Sequence, residues 1–244
     1  MYRFFIDGHN ENNEATLSKS DSAHAFLVLR LRVGDEIVAV ERGVELTAII
    51  TAASKSEVKI SITGEKLVDT EPKTAITLFQ CIPKFDKFEL IIQKSIELGV
   101  FSIIPVRAAR CVKRLEDDDV KNKLERFNKI AYEASKQSRR GIVPNIAAPV
   151  DLKNINFSEM NFDSVLLAYE GERDRSLKDA LKALKDPKSL AIFIGPEGGM
   201  NRDEVSFLTD QFCIPVSLGK RILRTETAGI AMLASCLYEL EGEL

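Results

Sequence analysis

Two stretches in the C-terminal half of the chain combine glycines, carboxylates and arginines in a way that suits ligand chemistry. The first, Gly195-Pro196-Glu197-Gly198-Gly199, follows the apolar run Ser189–Ile194 and precedes a helical pattern. Glycines in such a turn admit positive φ and let a ligand approach the backbone. The phosphate-binding signatures are absent. The spacing is G-x-x-G-G, Pro196 removes an amide donor, and Gly219-Lys220 is followed by Arg221 with no earlier glycine in place. Glu197 also opposes phosphate, so the loop suits a neutral or cationic ligand held by backbone groups; taken alone it is equally an ordinary tight turn. The second stretch, Ser217 to Ala228, leaves a strand, turns at Gly219 and enters a helix near Thr225. A cap at Thr225 and a first-turn Glu226 need only helix-end electrostatics. Ile222 and Leu223 in a loop beside three basic residues need more, and an apolar pair next to a glycine turn makes a slot for a flat base such as adenine.

The elements that hold these loops divide the chain into two textures. From Tyr2 to about Pro72, short β-like runs recur at Arg3–Ile6, Glu36–Glu41, Leu46–Thr51 and Glu57–Thr63, with one helical stretch from Ser22 to Arg30 capped by Ser20 or Asp21. Turns such as Arg42-Gly43 join them, which predicts a small β-barrel over residues 1–72. After Glu71-Pro72, strand and helix patterns alternate to the end: Ile76–Ile82, Lys84–Leu98, Ser102–Val106, Val120–Arg139, Ser164–Tyr169, Ser176–Leu184, Leu190–Ile194, Arg202–Gln211, Ile214–Leu218 and Thr225–Leu240. This rhythm predicts an α/β domain over 73–244 with a mostly parallel sheet, whose ligands sit beyond the carboxyl ends of the strands. The run Asp117-Asp118-Asp119 suits a helix N-terminus.

Composition narrows the class. The 244 residues are 45% hydrophobic and 29% charged, a globular balance. No apolar run approaches the ~20 residues that cross a bilayer, and Met1–Asp7 has no signal core, so a soluble cytoplasmic protein with no membrane partner is expected. Cys81, Cys111, Cys213 and Cys236 are scattered and only His9 and His24 are present, which predicts mostly buried free thiols and no metal site. The net charge of −3 is unevenly spread: Lys84–Arg140 holds 14 Lys and Arg against 9 Asp and Glu. Such a segment is either the footprint for a polyanion or a solvated helix face.

The two loops together resemble the signature loops of the SPOUT methyltransferases, above all the bacterial family that methylates N3 of a uridine in small-subunit (16S) ribosomal RNA. The same resemblance extends through His24-Ala-Phe-Leu-Val-Leu-Arg30, Gly34-Asp35, Lys87-Phe-Glu89, Lys94, Glu97-Leu-Gly-Val100, Pro105, Arg110, Glu133-Ala134, Gln137-Ser138 and Arg140. Met200-Asn201 departs from it, since the family more often places a bulky apolar residue there. The resemblance implies a PUA-like barrel followed by an α/β domain with a trefoil knot. It also implies a homodimer in which Ile230, Leu233, Leu237 and Leu240 of the last helix lie partly in the interface; simple core is the alternative. S-adenosylmethionine would be held by Leu167 and Glu170; by Gly195, Glu197 and Gly199; and by Leu218, Gly219, Ile222, Leu223, Arg224, Thr227 and Ala228.

Uracil N3 is a poor nucleophile until it loses its proton, and the resulting charge spreads to O2 and O4. Arg224 is the candidate to face those oxygens, with a surface pair to Glu226 as the alternative. Glu197, Glu226 or water would take the proton. Contacts to 16S rRNA or the small ribosomal subunit are expected from Arg3, His24, Arg30, Lys94, Arg110, Gln137, Arg139 and Arg140. Structural roles stand beside this for His24 and Gln137. Two other functions remain open: a SPOUT methyltransferase acting on transfer RNA or another ribosomal position, and a non-catalytic RNA-binding assembly protein.

Overall fold

Val58, Ile60 and Ile62 alternate with Lys59 and Ser61, so one face of that strand turns inward, and Val58 and Ile60 are buried as this demands. The computed structural model describes residues 1–111 and 117–242, with side chains described except at 85, 117 and 118. The chain folds into two compact units, Met1–Glu71 with Ser135–Val143, and Pro72–Ala134 with Pro144–Leu244.

In the first unit the strands are β1 (Arg3–Phe5), β2 (Glu14–Thr16), β3 (Glu36–Glu41), β4 (Val44–Ala53) and β5 (Val58–Leu67). They form one sheet in the order β1-β3-β4-β5-β2, a half-barrel in which β1 runs parallel to β3 and the other pairs are antiparallel. Arg42 (φ 46°) and Gly43 (φ 83°) make the two-residue turn between β3 and β4, where both central residues take positive φ. Phe4, Ile37, Leu46, Ile50 and Ile60 fill the concave side. The expected helix is α1 (Lys19–Ala23), continued by a π-helical turn over His24–Val28. Its cap is Ser18, two residues before the earliest expected position, because the Ser18 hydroxyl accepts the Asp21 N–H at 3.1 Å.

Ser135–Val143 joins this unit through polar contacts that the change of rhythm at Pro72 does not reveal. The Arg140 guanidinium grips both Glu71 carboxylate oxygens, with Nε at 2.8 Å and Nη2 at 2.7 Å, and the Gly141 N–H donates to Glu71 at 2.7 Å. Arg3 donates to the Arg140 carbonyl at 3.1 Å and pairs with Glu45.

The second unit holds β6 (Ala75–Cys81), α2 (Phe85–Leu98), β7 (Ser102–Arg107), α3 (Asp117–Gln137, its last three residues falling with the first unit), β8 (Asn145–Ile146) and β9 (Val150–Asp151). There follow β10 (Ser164–Ala168), α4 (Leu177–Lys182), β11 (Ser189–Ile194), α5 (Arg202–Asp210), β12 (Cys213–Val216) and α6 (Thr225–Glu241). Asp117 and Asp118, expected at a helix N-terminus, have side chains outside the described residues. The sheet order is β12-β10-β11-β6-β7-β8, with β9 also on β7, and every pair is parallel. Near-continuous apolar strands such as Ile76–Cys81 and Leu190–Ile194 reflect burial on both faces. Phe79 and Phe193 stack at 6.3 Å within the core. On α6, Leu233 and Leu237 are buried in the single chain, so they are core; Ile230 and Leu240 are half-buried.

All four cysteines are free, with Cys81, Cys213 and Cys236 buried and Cys111 half-buried. Burial pushes the Cys213 and Cys236 thiols up to about 12. Among the described residues no group of His, Cys, Asp or Glu could hold a metal ion, and no helix is long and apolar enough to cross a membrane.

Candidate active site

Parallel strands all point their carboxyl ends the same way, so the loops leaving β10, β11 and β12 converge at one rim of the second unit. A cavity of about 500 Å³ lies among them, within the size range of small-molecule sites. Ala168, Tyr169, Glu170 and Arg173 line it from the first loop, Gly195 to Glu197 with Gly199 and Met200 from the second, and Ser217 to Thr225 from the third.

The loops are fastened to one another. The Ser217 N–H donates to the Arg175 carbonyl at 2.9 Å and the Leu177 N–H to the Ser217 carbonyl at 3.0 Å, which joins the first loop to the third. The Thr225 hydroxyl donates to the Gly195 carbonyl at 2.7 Å and accepts from Gln80 Nε2 at 2.9 Å, which joins the third to the second and anchors both to β6. Thr225 is therefore a tie and not the expected cap; the cap position is Arg224, whose side chain makes no capping bond. Inside the second loop the Gly199 N–H closes a turn on the Pro196 carbonyl at 2.9 Å. At φ 69° this residue needs glycine, and a Cβ would come within 3.3 Å of Glu170 Oε1. Asn201 forms a capping box with Glu204 at the start of α5.

Ten of the twelve residues expected to hold the cofactor line the cavity: Glu170, Gly195, Glu197, Gly199, Leu218, Gly219, Ile222, Leu223, Arg224 and Ala228. The other two do not. Strand alternation sends Leu167 into the core with Phe79 and Phe193 while its neighbour Ala168 faces the cavity, and Thr227 is exposed elsewhere on α6. Ile222 is 85% exposed and Leu223 half-buried, an apolar lip on the rim.

The charged groups are arranged in a way the sequence did not reveal. Lys87, on the first turn of α2, reaches Glu197 Oε1 at 2.5 Å and Glu226 Oε1 at 3.3 Å. The hydrogen bond to Glu197 is the chief cause that raises the Lys87 pKa above the ordinary lysine value. Glu226 thus pairs with Lys87 and not with Arg224. Among the described residues Arg224 forms no ion pair, and its exposed side chain lines the cavity.

The expected RNA contacts divide as well. Arg30, Arg110, Gln137 and Arg139 are exposed, and His24 is half-buried. Lys94 is held by both oxygens of Glu97 at 2.9 and 2.8 Å. Arg140, with 3% of its side chain exposed and both Glu71 oxygens bound, cannot meet a phosphate without breaking its own unit; Arg3, 8% exposed against Glu45, is likewise structural. Both are committed to partners within the first unit.

Residues 70–237 match the family model of an RNA methyltransferase domain, and residues 17–63 that of an RNA methyltransferase PUA domain. The chain is 34% identical over 250 residues to ribosomal RNA small subunit methyltransferase E of Bacillus subtilis, covering 99% of this chain and 98% of the relative. It is 30% identical to the protein of the same name in Mesomycoplasma hyopneumoniae, covering 98% and 100%. The crystal structure of ribosomal RNA small subunit methyltransferase E from Neisseria gonorrhoeae, bound to S-adenosyl methionine, superposes with a TM-score of 0.82 at 29% identity over 96% of each chain. A half-barrel unit, a parallel sheet with three tied loops at its rim and full-length similarity agree: the chain belongs to the ribosomal RNA small subunit methyltransferase E family.

Proposed function

We propose that this protein transfers the methyl group of S-adenosylmethionine to N3 of a uridine in small-subunit (16S) ribosomal RNA. The observation that carries this reading is the cavity bounded by the three hydrogen-bonded loops. Its volume, apolar lip and open glycine backbone suit an adenosyl group, and two nearby carboxylates suit a sulfonium. Glu170, Gly195, Gly199, Leu218, Gly219, Ile222, Leu223 and Ala228 would hold the cofactor, which when bound supplies an electrophilic methyl carbon.

The chain's own task is to orient the uracil and manage its charge. Arg224 reaches the cavity with an uncommitted guanidinium, and a planar fork facing O2 and O4 stabilises the anion that forms as N3 loses its proton. Arg30, Arg110, Gln137 and Arg139 are open to a polyanion and would carry the RNA contacts. Leu90, Phe101 and Tyr238 stay exposed on the second unit, apolar surface that a second copy would cover in the homodimer. The knotted thread implied by the family would involve the third loop and α6, and the work would take place in the cytoplasm on the small ribosomal subunit.

Mass-spectrometric mapping of methylated uridines in 16S rRNA from cells with and without the protein tests this reading. One N3-methyluridine should vanish without the protein and return with the wild-type chain. A modification that vanishes from transfer RNA, or at another uridine atom, would replace it.

A further inference from the structure

Lys87 is 110 residues from Glu197 in the sequence. The sheet brings them together because β6, which leads into α2, lies beside β11, which leads into the glycine loop. The ammonium lies against two carboxylates with 24% of its side chain exposed, and it lines the cavity beside Glu197. A lysine ammonium has three N–H donors. The two glutamates account for two, which leaves one for a ligand in the cavity.

The two carboxylates are not equivalent. Glu197 lines the cavity, whereas Glu226 does not, and its Oε2 is buried with no hydrogen-bond partner. An N3 proton can therefore reach Glu197 more directly than Glu226. Glu197 also holds Lys87 in its charged form, so Lys87 donates and does not accept the proton.

We propose that Lys87 is a catalytic residue: its third N–H binds one of the two uracil carbonyl oxygens that flank N3, and Glu197 accepts the N3 proton. The inference rests on uridine N3 being the methyl acceptor. The N3–H bond breaks, and its proton passes to the Glu197 carboxylate. The freed electron pair on N3 forms the bond to the methyl carbon, and the carbon–sulfur pair stays on sulfur. A neutral uracil, a sulfonium and a carboxylate thus become a neutral methyluracil, a thioether and a carboxylic acid. During transfer the negative charge on the uracil lies between Lys87, fixed by its two glutamates, and the free guanidinium of Arg224.

The test uses the full-length protein and small subunits purified from cells that lack it, comparing wild type with Lys87→Met, Lys87→Arg and Glu197→Gln. Melting temperature and calorimetric binding of S-adenosylmethionine are measured beside the rate of methylation across pH. Lys87→Met should lose on the order of 10²-fold in rate at neutral pH and recover as the pH rises and uracil ionises unaided, with cofactor affinity unchanged. Lys87→Arg should restore part of the loss. Glu197→Gln, which lacks the base, should be slow at neutral pH and also recover as the pH rises. A loss in Lys87→Met that is uniform across pH, or matched by lost cofactor binding, would overturn the role of Lys87. A wild-type product other than N3-methyluridine would instead overturn the reading on which it rests.

Discussion

Cations meet glutamates in both units, with opposite consequences. In the first unit Arg140 gives its fork to both oxygens of Glu71 and is almost wholly buried, while Arg3 spans Glu45 and the Arg140 carbonyl. At the rim of the second unit Lys87 serves two carboxylates and keeps one donor in reserve, and Arg224 keeps its whole fork. Residue type and local charge are alike in the two places. What differs is how many donors are already spent, and that accounting separates a clamp from a site.

Perturbing the clamp should have the largest effect. Arg140→Ala removes a buried guanidinium and leaves the partly exposed Glu71 with only the Gly141 N–H, so it should cost about 3 kcal/mol of stability, read as a lower denaturation midpoint. An unchanged midpoint would erase the distinction between the two regions. At the rim, Arg224→Ala should leave the melting temperature and cofactor affinity alone and cut methylation by roughly 10²–10³-fold. Near-normal turnover would remove Arg224 from the chemistry.

Arg139, next to the clamp but exposed, sharpens the comparison within two adjacent residues. Arg139→Glu should keep the fold and reduce the salt dependence of RNA binding by about one unit of slope. A slope equal to wild type would place Arg139 off the RNA path. The smallest effect concerns Glu45. Burial raises its pKa, but hydrogen bonds from Arg3 and Lys66 outweigh this and hold it below the ordinary 4.5. Its contribution to stability is therefore present above pH 4.5 and lost as the pH falls through the lowered folded value. Glu45→Gln should show a shallower acid loss than wild type, measured by urea melts between pH 3 and 6.

The rim loops are legible in the sequence because each is a glycine turn directly after a buried apolar run. Those runs fix where parallel strands end, and strand ends fix where a ligand sits. Leu167 shows the limit of that reasoning: the strand is the right one, but a one-residue alternation decides that Ala168 faces the cavity. β2, at three residues, is too short for a period-2 pattern to register. Lys87 has no visible role in the sequence, since its partners lie on elements joined to it only by the β6–β11 pairing. Arg140 misleads for a related reason. A basic residue at the end of a basic helix reads as surface until the chain is seen to turn back onto Glu71.

Calorimetric titration of S-adenosylmethionine into the purified protein, wild type beside Ala228→Met, bears most directly on the central claim. Ala228 forms part of the cavity wall on the first turn of α6, so a longer side chain there competes with a ligand for the same space. The account predicts one cofactor bound per wild-type chain, and binding lost in a variant that still melts cooperatively. No heat with wild type, or equal affinity in both proteins, would contradict it.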